Sequence, residues 1–375
     1  MSAWPGKYVI GLTGNIATGK SVVRKMLEHL GAYGIDADAL SHRAISKGAP
    51  GYQQVVDTFG KWILDQDGQI DRAKLSRLVF PNPEALRTLE LIVHPLVRDA
   101  IDVLVRRSKQ KIIVIEAIKL LEGDLFTYCD SIWVTDAPQE TQTLRLIKKR
   151  NMSPQAARER IHAQGSPADK ISKADVIIHN NSGFEETWKQ VAAAWQVTVP
   201  AEAEQPVRKQ AKGQFLVQRA RPQEASHIAE FVTRMSQGQI RLTRADIMAA
   251  FGEKAFLLLL RDERLVGLMG WQVENLVARV DDVFIEPSLS LPEAMKAMTD
   301  EVEQASKELQ CEAALLFLSP DLAQHQDVWQ TVGYDARTVK DLGVRAWQDA
   351  AMESMKPGTV MLFKQLRKDR VLRPV

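Results

Sequence analysis

The octapeptide Gly14-Asn15-Ile16-Ala17-Thr18-Gly19-Lys20-Ser21 constrains this chain more than any other stretch. It satisfies every fixed position of G-x-x-x-x-G-K-[ST]. Its flanks agree with it. A short β-rich run, Tyr8–Leu12, comes before, and Ser21–Leu30 has the spacing of a helix. Strand, glycine turn and helix in that order make backbone N–H groups and the positive end of a helix converge on one point. Phosphate oxygens fit such a point. In this template Lys20 reaches the β- and γ-phosphates and the Ser21 hydroxyl ligates Mg²⁺. The loop therefore specifies a nucleoside triphosphate and says nothing of the acceptor.

One such loop occupies little of 375 residues, a length that predicts two or three domains. The first half alternates strand and helix signals. Apolar runs at Ile112–Ile115, Ser131–Val134 and Val176–Ile178 alternate with helical stretches at Glu84–Arg107, Gln139–Arg150 and Glu185–Trp195. That alternation predicts a parallel sheet covered on both faces. The pattern stops near Val197, and Pro200–Gly213, rich in charge and poor in large apolar residues, reads as a linker. The expected division is 1–199, a linker at 200–213, and a second domain at 214–375.

Lys+Arg 49 against Asp+Glu 47 leaves a net charge of only +2, which argues against a broad nucleic-acid surface. The two cysteines, Cys129 and Cys311, form no disulfide framework and no zinc pattern, and read as reduced, packed side chains. The apolar run Ala255–Leu260 is far too short to span a membrane, and no export signal opens the chain. A soluble cytoplasmic protein is expected.

Asp36 and Asp38 follow the loop helix at the end of a short second strand, where an open α/β sheet faces its ligand. Two apart on extended backbone, they would share a face, one as proton acceptor and the other orienting polar groups or Mg²⁺ waters. At this point the residues resemble the dephospho-CoA kinase family. YVIGLTGNIATGKS followed by Ile35-Asp36-Ala37-Asp38 is similar to its opening motifs. The likeness continues through Phe59-Gly60, the Asp67–Arg72 segment, Leu89 to Val97 around His94-Pro95, Arg145 and Arg150, Arg160 to Gln164, and Lys170 with Ala174 to Asn180.

The resemblance implies a three-layer α/β/α P-loop kinase with helical substrate-binding and lid insertions. It implies transfer of the ATP γ-phosphoryl group to the ribose 3′-hydroxyl of dephospho-CoA, the last step of coenzyme A synthesis. Asp38 is then the general base, with Lys20, Arg145 and Arg150 completing the catalytic set. The loop residues and Asn180 would hold ATP. The substrate side would include Asp36, His42, His94, Lys119 and Gln164, and the lid would run from about Asn151 to Ala168. Two departures stand out. Asn15 and Ala17 replace family glycines, and Ala117–Glu122 carries Lys119 where the family has proline. The rival readings are a kinase for another small-molecule acceptor and a nucleotide-binding regulator without turnover.

The second half reads β-α-(α)-β-β-β-α-β-α-β, with a hairpin at Asp262–Arg264 and Val332-Gly333-Tyr334 before the last strand. This order resembles the α+β fold of the GNAT acetyltransferases. Active members open their long helix with a glycine-rich loop for the acyl-CoA pyrophosphate. Here Ile285–Ala294 has no glycine and no basic residue but carries Glu286 and Glu293. A non-catalytic module is therefore expected, with regulation or the sensing of CoA or acyl-CoA as its role and active acetyl transfer as the alternative. Trp271, Trp329 and Trp347 read as core aromatics.

Overall fold

A computed structural model describes residues 3–200 and 214–368. Apart from Pro200, the expected linker lies outside the described residues. In the first half, β1 (Tyr8–Thr13), β2 (Tyr33–Asp36), β3 (Ile112–Glu116), β4 (Ser131–Asp136) and β5 (Val176–His179) form one sheet. Its order is β2-β3-β1-β4-β5, and every pair is parallel.

Alternation along the strands builds the layers. Ile10, Leu12, Ile112 and Val114 point to one face, against Val23 and Leu27 of α1 (Lys20–His29) and Val191 and Trp195 of α9 (Phe184–Thr198). Val9, Ile113 and Ile115 point to the other, against Leu40 of α2 (Ala37–Ala44) and Ile101 and Leu104 of α5 (Pro83–Arg107). Continuous apolar strands are what burial on both faces requires. Helices α3 (Tyr52–Phe59) and α4 (Arg72–Val79) extend the α5 side. On the other side of the crevice, α6 (Gln139–Arg150), α7 (Pro154–His162) and α8 (Pro167–Ile171) form the lid region. This is the predicted P-loop kinase architecture.

The second half is a seven-stranded sheet ordered β11-β12-β10-β9-β8-β7-β6. Its strands are β6 (Phe215–Arg219), β7 (Ala255–Arg261), β8 (Arg264–Glu274), β9 (Val277–Ile285), β10 (Ala313–Leu318), β11 (Asp335–Ala336) and β12 (Val360–Gln365). Helices α10 (Ala225–Met235) and α11 (Arg244–Ala250) cover one face and α12 (Leu291–Glu308) the other. The pair β9–β10 is parallel and joined through α12, and the other pairs are antiparallel. The predicted α+β order is therefore present. The expected helix near Gln324–Val332 is present as α14 (Gln326–Thr331), preceded by a short α13 (Pro320–Ala323). It also adds the edge strand β11 and helix α15 (Arg345–Ser354). Trp271, Trp329 and Trp347 are buried in these cores, as expected.

The two sheets are packed through side chains from both halves. Leu276, from the β8–β9 turn, is buried in the core of the first half, and Phe184 of α9 packs against the α10–α11 core of the second. Arg43 of α2 pairs with Glu312 at 2.6 Å, and both are buried. The ring of His29 donates through Nε2 to the Phe251 carbonyl at 2.8 Å. Among the described residues no helix is long and apolar enough to cross a membrane.

Candidate active site

The carboxyl ends of β1, β2 and β3 lie side by side, and their last residues define a crevice. Glu116 is the register partner of Leu12 on one side and of Asp36 on the other. The phosphate loop leaves β1 at Thr13. Gly14 and Gly19 both have positive φ, +149° and +99°. A Cβ at Gly14 would sit 2.4 Å from the Thr135 carbonyl, and one at Gly19 would sit 1.9 Å from Asn180 Nδ2. Only glycine fits either position. The Thr18 hydroxyl donates to the Asn15 carbonyl at 2.8 Å and lies 2.7 Å from Thr135 Oγ1, which fixes the turn from beneath. Ala17 stands at φ +58°, in the left-handed region.

Lys20 is buried and folds across the loop, donating to the carbonyls of Gly14 at 3.0 Å and Asn15 at 3.2 Å. Burial lowers its pKa, opposed by the charges of Glu116 and Asp38. The Ser21 hydroxyl donates to Glu116 Oε1 at 2.8 Å. Glu116 Oε2 accepts from Arg24 Nε at 2.7 Å. Burial works against the Arg24 charge, but Glu28 and Glu116 overcome it and raise its pKa. Ser21 and Glu116 together present hard oxygen donors beside the loop, the ligand type Mg²⁺ takes. The described residues contain no group of three or more His, Cys, Asp or Glu placed to hold a metal. A Mg²⁺ here would complete its shell with phosphate oxygens and water.

Asp36 and Asp38 do not share an extended face. The strand ends at Asp36, whose Oδ1 accepts the Ala39 N–H at 2.8 Å and caps α2. Asp38 is already in the first helical turn, because an Asp at a strand's end is a strong N-cap and starts the helix one residue on. The Ile118 N–H donates to Asp38 Oδ2 at 3.1 Å. Burial raises the Asp38 pKa, opposed by that hydrogen bond and by Lys20. Burial and the neighbouring Glu116 push Asp36 up to about 6.

Arg145 bridges the loop and the end of β5. It donates through Nη1 to the Ala17 carbonyl at 3.0 Å and through Nη2 to the Asn180 carbonyl at 2.9 Å. Asn180, buried, donates to the Thr18 carbonyl at 2.9 Å and accepts from the Thr187 hydroxyl at 3.1 Å. Gln164 is on the loop side of the crevice rather than the expected acceptor side. Its Oε1 accepts the Ile16 N–H at 2.6 Å, while Asn15 Nδ2 donates to the Gly165 carbonyl at 3.1 Å. The polar lid end reaches the loop because that loop presents N–H groups that need acceptors.

The remaining expected residues are more peripheral. Arg150 is exposed at the last position of α6, and His94 is exposed on α5. Lys119 is exposed and forms an ion pair of 2.9 Å with Glu90 of α5. His42 keeps an exposed face, yet desolvation along the crevice wall and the charge of Arg72 hold its imidazole low, at about 4. Sequence reasoning missed Glu116 and Lys170 as site residues. Glu116 ends an apolar strand, the same signal that marked Asp36. Lys170 is buried and donates to the Ile118 carbonyl at 2.5 Å, the peptide whose N–H holds Asp38. Burial lowers its pKa, opposed by Glu122 and Asp38.

A parallel sheet ordered 2-3-1-4-5, a phosphate loop after its central strand and a lid reaching that loop define a P-loop kinase. Residues 8–186 match the family model described as dephospho-CoA kinase. The dephospho-CoA kinase of Carboxydothermus hydrogenoformans is 42% identical over 191 residues, covering 50% of this chain and 93% of that protein. That of Aquifex aeolicus is 42% identical over 188 residues, covering 50% and 95%. The chain belongs to the dephospho-CoA kinase family through its first half. The second half is similar to a GNAT-family acetyltransferase from Staphylococcus aureus, at 14% identity and a TM-score of 0.34, covering 41% of this chain and 100% of that one.

Proposed function

We propose that this protein transfers the γ-phosphoryl group of ATP to the ribose 3′-hydroxyl of dephospho-CoA, giving coenzyme A and ADP in the cytoplasm. The observation that carries the reading is Asp38. Its partly buried carboxylate has a raised pKa, is held by the Ile118 N–H, and lies within the fields of Lys20 and Lys170. A carboxylate so placed accepts the acceptor hydroxyl's proton as the phosphoryl group moves. Lys20 and Arg145 neutralise charge on the transferring group, and the backbone N–H groups of the loop orient the phosphates. Ser21 and Glu116 would hold a Mg²⁺, which would supply charge neutralisation on the phosphate oxygens. Asp36, His42 and His94 line the acceptor side. Gln164 belongs to the lid contact, and Lys119 acts on the α5 wall through Glu90. Arg150, exposed at the end of α6, acts from the start of the lid rather than on the loop.

The chain divides into domains at 1–199 and 214–375, joined by 200–213. The second domain is a non-catalytic module. At the place where a pyrophosphate loop would open α12, Glu286 is buried between Arg234 at 3.0 Å and Arg264 at 2.9 Å. Both guanidiniums are committed to that carboxylate, and Ile285–Ala294 has no glycine to let backbone N–H groups approach a pyrophosphate. The test is steady-state turnover with ATP and dephospho-CoA beside other nucleoside and pantetheine acceptors. Asp38→Asn should lower kcat by roughly 10²–10⁴-fold. Wild-type turnover only with another acceptor would overturn the substrate assignment.

A further inference from the structure

We infer that the second half of the chain positions helix α2, and through it Asp38, with Arg43 as the positioning residue that Glu312 and the β8–β9 turn hold in place. This rests on the reading of Asp38 as the proton acceptor. Helix α2 has only eight residues, Ala37–Ala44, about 12 Å of helix. Its first turn is fixed by the Asp36 cap and by the Ile118 N–H on Asp38. Its last turn is fixed from the other half of the chain. Arg43 donates through Nη2 to Glu312 Oε1 at 2.6 Å and through Nη1 to the Asn275 carbonyl. Five residues beyond Asp38, Arg43 lies roughly 140° round the helix axis, so it faces away from the crevice when Asp38 faces into it.

The holding groups are themselves tied down by hydrogen bonds. The Glu312 N–H donates to the Leu276 carbonyl at 2.7 Å, and its carbonyl accepts from the Leu366 N–H at 2.9 Å. Asn275 and Leu276 form the two-residue turn between β8 and β9, both at positive φ, +51° and +60°. Such a turn prefers glycine at its second position. Leucine there accepts backbone strain, and its side chain is buried in the core of the first half, not the second. The neighbouring Val273 carbonyl accepts from Lys25 of α1 at 3.1 Å, so the same turn grips the helix that begins at Lys20. A cavity of about 50 Å³ beside the turn is lined by Asp36 on one wall and Asn275 on the other. A buried ion pair adds little net stability once desolvation is counted, and what it does fix is geometry.

The test uses the full chain, with steady-state kinetics, thermal unfolding and hydrogen exchange of the α2 amides. Glu312→Gln keeps the shape and removes the charge. Leu276→Gly relieves the turn and removes the anchor. Both should lower kcat by about 10-fold to 10²-fold, the scale of a misplacement near 1 Å, with KM for ATP changed less than about 2-fold in Glu312→Gln, which leaves the turn intact. Exchange at residues 39–44 should speed up. Arg43→Lys should keep more turnover than Arg43→Met. An unchanged kcat in folded Glu312→Gln or Leu276→Gly, even with a lower Tm, would reduce the contact to a structural one and overturn the inference. Should Glu312→Gln not fold, Leu276→Gly decides alone. Asp38→Asn in parallel separates the two readings. Full turnover there removes the proton-acceptor role, whereas its loss with unaffected clamp variants removes only the clamp.

Discussion

Ala17 stands at φ +58° in the phosphate loop, where an L side chain costs about 1–2 kcal/mol. Its methyl recovers part of this against Ile16, Leu146 and Ile161. Ala17→Gly should therefore stabilise the chain by about 0.5–1 kcal/mol, allowing for glycine's entropy, as read from thermal unfolding. Asp36 makes a second prediction at this scale. Its folded-state pKa is about 6, against roughly 3.9 for an unfolded aspartate. Between those values the native protein binds more protons than the unfolded chain. The group's contribution to stability is thus fully present below about 4 and lost as pH rises through 6. Asp36→Asn keeps an N-cap and removes the repulsion with Glu116. It should raise Tm above pH 6 and leave it unchanged near pH 4, and a Tm gain at both pH values would contradict this account. The same burial raises Asp38, so the acid limb of kcat/KM should lie above the ordinary carboxylate range.

Elements were legible where apolar runs were unbroken. Ile112–Ile115 and Ser131–Val134 read as buried strands because both faces of the sheet are covered, and the structure carries them on to Glu116 and Asp136. The phosphate loop was legible because its geometry demands particular residues at fixed positions. The Asp36–Asp38 step was not, since spacing alone does not show whether a strand continues or a capped helix begins. Glu116 and Lys170 escaped because their roles arise from the meeting of β3, α1 and α8, which local pattern does not encode. The pairing of Lys119 with Glu90 escaped for a similar reason, the two lying 29 residues apart. The lid carries the prediction at this scale. Gln164 occupies the Ile16 N–H, and in the proposed reaction ATP displaces it there. Gln164→Ala should tighten ATP binding by about 2-fold to 10-fold in calorimetry, the worth of one hydrogen bond exchanged. Weaker binding would mean that Gln164 holds the nucleotide instead.

Across the whole molecule, two sheets share buried contacts rather than hanging independently. Leu276 lies in the first core, Phe184 packs on the second, and Arg43–Glu312 joins them. Unfolding of the full chain should be one transition, and ATP at 100 times its Kd should stabilise it by about 2.7 kcal/mol as a unit. Two transitions with only one responding to ATP would contradict such coupling. The near balance of 49 basic and 47 acidic residues fits the proposed binding of phosphates at one crevice, around Lys20, Arg145 and Lys170, rather than over a broad basic surface. The most direct test of the central claim is coenzyme A formation from ATP and dephospho-CoA by the full chain and its Asp38→Asn variant. The account predicts product from the wild type and a fall in kcat of roughly 10²–10⁴-fold in the variant, with ATP still bound. ATP binding without coenzyme A formation by the wild type, or full turnover by Asp38→Asn, would contradict it.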